Sequence, residues 1–212
     1  MIVIDGLNDT LSGLKLSTSS IENLIGGYKL IFSQTRRNDI EWKMKLPMFV
    51  PPFYDYLKRF NTIPTQEEYY NYYISQNQTF FDLKGLSNEQ LEGLRARVYR
   101  TYPSLVRDVH FGLTLKEKNF FEEVFYNEVL DIEYGIDLVV SRSSKRLGLN
   151  LFTQTSAAQY ARQVKQYRPK KSVDFNCIEI PINFRGSKVC GKFFLYSDRE
   201  ISQIVQEISH HV

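Results

Sequence analysis

The sequence predicts a mixed α/β (α+β) fold: a small helical N-terminal region over residues 1–100, then an α/β domain over residues 101–212 with a mixed central sheet flanked by helices. Three observations predict it. The first half carries capped helix starts among tyrosine-rich segments. The second half alternates helical patterns with apolar runs of strand length. Charge divides along the same line: residues 1–94 hold 9 Lys+Arg and 11 Asp+Glu, a net of −2, against 18 and 13, a net of +5, in residues 95–212. With 42% hydrophobic and 24% charged residues over 212 positions, the composition is that of a globular chain, which excludes disordered, collagen-like and coiled-coil classes. The outlying number is 14% aromatic, with 14 Tyr and 15 Phe against one Trp.

The elements of the first half follow from local signals. Residues 17–34 place Ile21, Leu24, Ile25, Tyr28 and Leu30 near helical spacing, with Gly26-Gly27 weakening the pattern. Pro47, Pro51 and Pro52 break the chain, and Phe53 to Phe60 reads as a short aromatic helix. Thr65 is a good N-cap, with Glu67 and Glu68 placed at the positive end of the helix it opens. Tyr69, Tyr72, Tyr73 and Gln76 then sit on adjacent turns, where tyrosine suits a homodimer, a protein partner or base stacking, or the packing of a small helical subdomain. A second capped helix opens at Ser87 with Gln90 three residues on, and runs to Tyr99 or Tyr102, ending before Pro103.

In the second half, residues 115–130 read as a helix with Phe120, Phe121, Val124 and Phe125 on its apolar face. Gly135 marks a turn, Ile136 to Val140 a buried strand, Ser141 to Arg146 a polar turn, and Leu147 to Thr153 a second strand. Thr155 or Ser156 opens a helix through Tyr167, stopped by Pro169. Residues 177–184 and 189–196 form a hairpin around Arg185-Gly186, with Glu179 opposite Lys192, and Asp198 caps a last helix carrying Ile201, Ile204, Val205 and Ile208. In that hairpin Cys177 and Cys190 share a face but lie several residues apart, beyond disulfide reach, which fits reduced thiols in a cytoplasmic protein. No basic leader precedes an apolar run at the N-terminus, and no stretch approaches 18 apolar residues, so neither a signal peptide nor a membrane span is expected.

Charge segregation is the clearest functional signal. Between Asp137 and Asp174 no acidic residue occurs, while eight bases do: Arg142, Lys145, Arg146, Arg162, Lys165, Arg168, Lys170 and Lys171. An acid-free, base-rich segment suits a polyanion such as DNA or RNA, with Arg162 and Lys165 three apart on one helix face to meet successive phosphates. Arg95, Arg97, Arg100 and Arg107 interleave with Tyr99 and Tyr102, a pattern that either clamps phosphates and stacks bases or packs Arg stems along Tyr rings. His110 lies in an apolar run and reads as a core histidine, and His210-His211 as a tail. No CxxC, HExxH, GxSxG or P-loop pattern is present, which leaves zinc-hydrolase, serine-hydrolase and NTPase readings without support.

The order helix with Glu, strand opening with Asp137, second strand, basic helix and further strands resembles the PD-(D/E)XK nuclease superfamily, the restriction-endonuclease-like fold, over residues 105–205. The resemblance implies a metal-dependent DNA endonuclease of restriction, defence or mobile-element type, or a degenerate relative that binds nucleic acid without cutting it. In the family a helix Glu, a strand Asp and a Glu-x-Lys on the next strand hold Mg²⁺ and activate water. Metal lowers the pKa of water and offsets charge on the phosphate in such a site. Here Asp137 matches the strand Asp, and Glu123 or Glu128, with Glu117 a further choice, would be the helix carboxylate joining it on Mg²⁺. The chain departs from the pattern at the next strand: Leu147 to Thr153 carries no Glu-x-Lys. Asn150 or Gln154 would stand at the Glu position, and Lys165 would supply the lysine from the helix.

Overall fold

The computed structural model describes residues 7–153, 172–182 and 184–210. They fall into two compact units. One contains residues 14–107 with 191–193, and the other contains the described residues of 7–13, 108–190 and 194–210.

The first unit is helical. α1 (Thr18–Gly26) opens on a reciprocal cap between Ser17 and Ser20 and stops at Gly26-Gly27, short of the expected residue 34. Two glycines in succession cost helix stability that no later apolar face recovers here. A π-helical turn (Asp39–Lys43) follows. α2 (Val50–Phe60) begins through Pro51 and Pro52, because the first turn's N–H groups have no intrahelical partner to lose. α3 (Gln66–Gln76) carries the Thr65 cap, with Glu68 bonding back to the Thr65 N–H at 2.7 Å. α4 (Gln78–Lys84), not expected from the sequence, closes on Gly85 at φ 56°.

α5 (Asn88–Glu117) starts at Ser87 with Gln90 reciprocating, as the capping pattern predicts, but runs straight through Pro103. Proline cannot bond the carbonyl four residues back, here that of Tyr99. Gln66, nearly fully buried, supplies the missing donor: its Nε2 reaches the Tyr99 oxygen at 3.0 Å. The same amide bonds both backbone groups of Ile31, accepting its N–H at 2.7 Å and donating to its oxygen at 3.3 Å. One side chain thus satisfies three backbone groups that secondary structure leaves open.

The core of this unit is aromatic. Phe53, Tyr69, Tyr73 and Tyr102 are fully buried, with Phe53 edge-on to Tyr69 at 5.3 Å and to Tyr102 at 6.3 Å. The hydroxyls of Tyr69, Tyr73, Tyr102 and Tyr28 donate to carbonyls of the irregular stretches before α2 and α3. Tyr69 bonds Phe49 O at 2.5 Å, Tyr73 bonds Pro47 O at 2.9 Å, Tyr28 bonds Ile63 O at 2.6 Å, and Tyr102 bonds Pro64 O. Burial pushes the phenol pKa of Tyr69, Tyr73 and Tyr102 up from its ordinary value, so these groups stay protonated donors.

The second unit is built on a four-stranded sheet in the order β1-β2-β3-β4: β1 (Glu123–Phe125), β2 (Leu138–Arg142), β3 (Lys145–Thr153) and β4 (Asn176–Ile182). The first three run antiparallel and β4 pairs parallel to β3, so the sheet is mixed, as expected. The helix expected over residues 115–130 is not formed: α5 ends at Glu117, β1 follows, and a π-helical turn (Leu130–Tyr134) closes on Gly135 at φ 69°. Val124 and Phe125 pair with β2 instead of packing along a helix, because two consecutive inward residues serve a strand whose two faces are both covered.

The hairpin expected between residues 177–184 and 189–196 is also not formed. Ile178, Ile180 and Ile182 do share a strand face, but opposite Leu149, Leu151 and Thr153 in parallel. Glu179 is registered with Asn150, not Lys192. Period-two patterning reports a half-buried strand but not its partner. Among the described strands β4 lies at the edge of the sheet, which accommodates Pro181. Beyond the Phe184–Ser187 turn, β5 (Lys188–Cys190) and β6 (Phe193–Leu195) form their own two-stranded sheet, turning at Gly191 with φ 57°. Cys177 and Cys190 therefore lie in different sheets and are not joined in a disulfide. α6 (Asp198–His210) is capped by Ser197, whose N–H and hydroxyl both bond Glu200, while Asp198 pairs with Lys118 at 2.6 Å.

One sheet face, with Leu138, Val140, Leu147, Leu149 and Ile180, is covered by the later turns of α5, by Leu11 and by α6. At Gly112 an added Cβ would lie 2.8 Å from Leu11 and 3.2 Å from Leu138, so glycine is what lets the helix approach the strand. The other face carries Phe125 and Val139 packed with Leu130 and Ile136, edged by Leu7, Tyr134, Val173 and Phe175. Asp9 anchors residues 7–13: it accepts from Lys116 Nζ at 2.7 Å and from the Tyr126 N–H at 3.1 Å. Burial alone would raise its carboxyl pKa, but Lys116, Ser12 and the Tyr126 N–H outweigh that and hold it low. His110 is buried on α5 beside Thr114, a core histidine as read.

Candidate functional site

β2 and β3 are joined by the tightest connection a hairpin allows. Ser143 and Ser144 both have positive φ, 52° and 62°, the geometry of a type I′ turn whose twist matches the strands it joins. Neither residue is glycine, so the turn is strained, and Glu122 steadies it by accepting the Ser143 N–H at 2.8 Å. The expected six-residue polar turn shrinks to these two serines. Arg142 and Lys145 become the last registered pair of the ladder, side by side on one face of the tip. Arg146, one residue on, points to the other face with Ser141. Three of the eight sequence-predicted bases are thus gathered within one hairpin end.

On the Arg146 face the tip borders a cleft of about 530 Å³ lined by Glu123, Ser141, Ser144, Arg146, Asp174 and Phe175. Glu123 is registered opposite Ser141 and Ser141 opposite Arg146, so the three share this face with Ser141 in the middle. Phe175 half-buries its ring against the bare backbone of Gly148, where an added Cβ would lie 3.2 Å from the ring and 2.6 Å from the Cys177 sulfur. In the sequence Asp174 marks only the end of the basic window, and Phe175 carries no functional pattern. No local signal marks them, since β4 brings them beside β3 through parallel pairing.

Asp137 sits elsewhere. Ile136 packs with Val139, and Asp137 forms the bend that leads into β2 at Leu138. There the Asp137 N–H bonds Leu149 O at 2.9 Å and its Oδ2 accepts the Leu151 N–H at 2.6 Å. The carboxylate takes a rung of the β2–β3 ladder that a backbone carbonyl would otherwise fill. Asn150, between these ladder partners, has a buried Oδ1 with no hydrogen-bond partner among the described residues.

The expected Mg²⁺ set does not assemble. Asp137 turns toward β3, whereas Glu123 lies on β1, across β2 and four residues further along at roughly 3.3 Å per residue. Glu128 precedes the next π-helical turn and is exposed, and Glu117 is exposed at the end of α5. The single helix expected to carry Glu117, Glu123 and Glu128 over residues 115–130 is not formed, so the three carboxylates fall at the end of α5, on β1 and before the π-helical turn. Mg²⁺ needs its oxygens about 2.1 Å from one point. Among the described residues no group of three His, Cys, Asp or Glu side chains is placed to hold a metal. Gln154, Arg162, Lys165, Arg168, Lys170 and Lys171, with the helix read over 155–167, lie outside the described residues.

The arginine series of α5 is spent inside the helical unit. Arg100 bonds Thr35 O at 2.7 Å and pairs with Glu41, which also meets Arg97 at 3.8 Å. Arg95 pairs with Glu67 and lies over Tyr70 at 5.2 Å, and Arg97 lies over Phe49 at 5.5 Å. Arg107 is buried. These guanidiniums tie α5 to α3 and to residues 33–41. The tyrosine row proposed for a partner likewise turns inward at Tyr69 and Tyr73.

Compared with protein-family models, curated proteins and solved structures, the chain matches none. Among the described residues no helix is long and apolar enough to cross a membrane.

Proposed function

We propose that the chain binds nucleic acid, and that the β2–β3 hairpin is a point of contact. The observation that carries this is the pairing of Arg142 with Lys145 beside a two-residue turn, with Arg146 on the opposite face. A β-ribbon with two adjacent cations can meet neighbouring phosphates, and phosphate contacts supply most sequence-independent affinity. Five further bases follow in the same acid-free window. Binding without cutting has the stronger support, because Asp137 serves the ladder and Glu123 and Asp137 diverge.

The test is fluorescence anisotropy of DNA and RNA oligonucleotides over a salt series. Each phosphate contact adds about 0.7 to 0.9 to the slope of log affinity against log salt. Arg142→Glu with Lys145→Glu should therefore lower the slope by roughly 1.5 and weaken binding at least about tenfold. Absence of binding at low salt, or a slope untouched by the double reversal, overturns the reading.

A second reading is the metal-dependent DNA endonuclease. It is favoured by the element order: a strand entered through Asp137, its antiparallel neighbour, then a parallel strand completing a mixed sheet. Nicking of supercoiled plasmid in Mg²⁺ or Mn²⁺ that Asp137→Asn abolishes would establish it. Binding with no metal-dependent nicking leaves the binding form alone.

A further inference from the structure

We propose that the cleft beside the hairpin receives the edge of a single unstacked base, guanine before the others; this rests on the nucleic-acid reading of the same hairpin. The two faces of the tip differ in charge. Arg142 and Lys145 stand together on one, whereas the described lining of the cleft on the other sets Glu123 and Asp174 against Arg146. That lining offers carboxylate acceptors and a guanidinium donor together, so it suits a ligand that itself offers both donors and acceptors.

Its remaining lining narrows the class. Phe175 provides an aromatic surface, held in place by the bare backbone of Gly148, and aromatic rings stack on any base. Ser141 and Ser144 add hydroxyls able to donate or accept. Guanine is the base whose two edges match both charged types. Its adjacent N1–H and N2–H donors pair with a carboxylate, and its O6 and N7 acceptors pair with a guanidinium. Adenine and cytosine each offer one amino group, and thymine one ring N–H, so each leaves one carboxylate oxygen unmet. The phosphates flanking the base would run over the tip toward Arg142 and Lys145.

The test separates base recognition from phosphate binding. The full chain is titrated with 2′-deoxyguanosine, 2′-deoxyadenosine, 2′-deoxycytidine and thymidine, which carry no phosphate, while the Phe175 ring resonances are followed by NMR. Deoxyguanosine should bind about tenfold more tightly than the others, the discrimination one bidentate pair supplies. Asp174→Asn combined with Glu123→Gln should erase that preference. Salt-dependent strand binding should persist in this variant, since neither substitution removes a cation. Equal affinity for the four nucleosides, or Phe175 resonances that never move, overturns the proposal even where strands bind. Deoxyguanosine binding by a chain that binds no strand would instead overturn the hairpin reading and support the cleft's base preference.

Discussion

The helical unit and the α/β unit bury their backbones by different means. In the α/β unit the ladder between β1, β2, β3 and β4 pairs the backbone of the sheet, and Val, Leu, Ile and Phe fill most of the interior, with Tyr126, Tyr196 and His110 buried among them. In the helical unit, irregular segments such as residues 28–37 and 44–49 run between helices, and side chains do the pairing. Four tyrosine hydroxyls and one glutamine amide there bond carbonyls at Ile31, Pro47, Phe49, Ile63, Pro64 and Tyr99. The comparison teaches what the aromatic excess is for. A residue that is both a large apolar filler and a donor closes a core over loop carbonyls, where leucine would leave them unpaired.

If that contrast is right, the α/β unit should break when volume is added and the helical unit when a polar group is removed. The largest effect is expected at Gly148, where an added Cβ meets Cys177 and Phe175 at once. Gly148→Val should cost about 3 kcal/mol in chemical denaturation, the upper end of overpacking costs. A loss under about 1 kcal/mol would show that β4 shifts freely. Next is Gln66→Leu, nearly the same volume but unable to serve Ile31 and Tyr99, with an expected loss of about 2–3 kcal/mol. Pro103→Ala in that background should recover part of it, because alanine returns the N–H that Tyr99 O needs. Additivity of the two substitutions would refute the link between Gln66 and Pro103.

Tyr73→Phe keeps the ring and removes only the bond to Pro47 O, so a loss of about 1 kcal/mol is expected. The raised phenol pKa values of Tyr69, Tyr73 and Tyr102 carry a sign that can be checked by absorbance titration. Their stabilisation is full below the unfolded value of about 10 and is lost as pH rises toward the folded values. These three rings should therefore ionise only together with unfolding. The smallest effect lies at Asp39, whose hydrogen bonds from Arg37, then Gln90, hold its pKa at about 2. Its contribution should be whole above the ordinary carboxylate value near 4 and fade as pH falls toward 2. Asp39→Asn should accordingly be less stable than the parent at neutral pH and converge with it at pH 2.

Part of the candidate site was legible in the sequence. Arg142, Lys145 and Arg146 stood out through the missing acids around them, a property of composition that folding does not alter. Asp137 was legible as an acid at a strand start but not as a partner of Leu151, because that bond depends on the pairing of β2 with β3. Asp174 and Phe175 reach the cleft only because β4 runs parallel to β3. Their place beside Gly148 could not be derived from any spacing along the chain.

By itself the sequence determined the starts of helices at Ser17, Thr65 and Ser87, the strand character of residues 147–153 and 177–182, and the division of charge between the two halves. Those follow from hydrogen bonds spanning three residues, from side-chain alternation and from composition, all local quantities. Tertiary structure alone decided that α5 continues past Pro103, that residues 123–125 form a strand, and that β4 pairs parallel with β3. Each of those outcomes hangs on a partner distant in the chain: Gln66 for Tyr99, β2 for β1, and β3 for β4. A local pattern states what a segment must bury or bond, and the fold supplies the group that answers it.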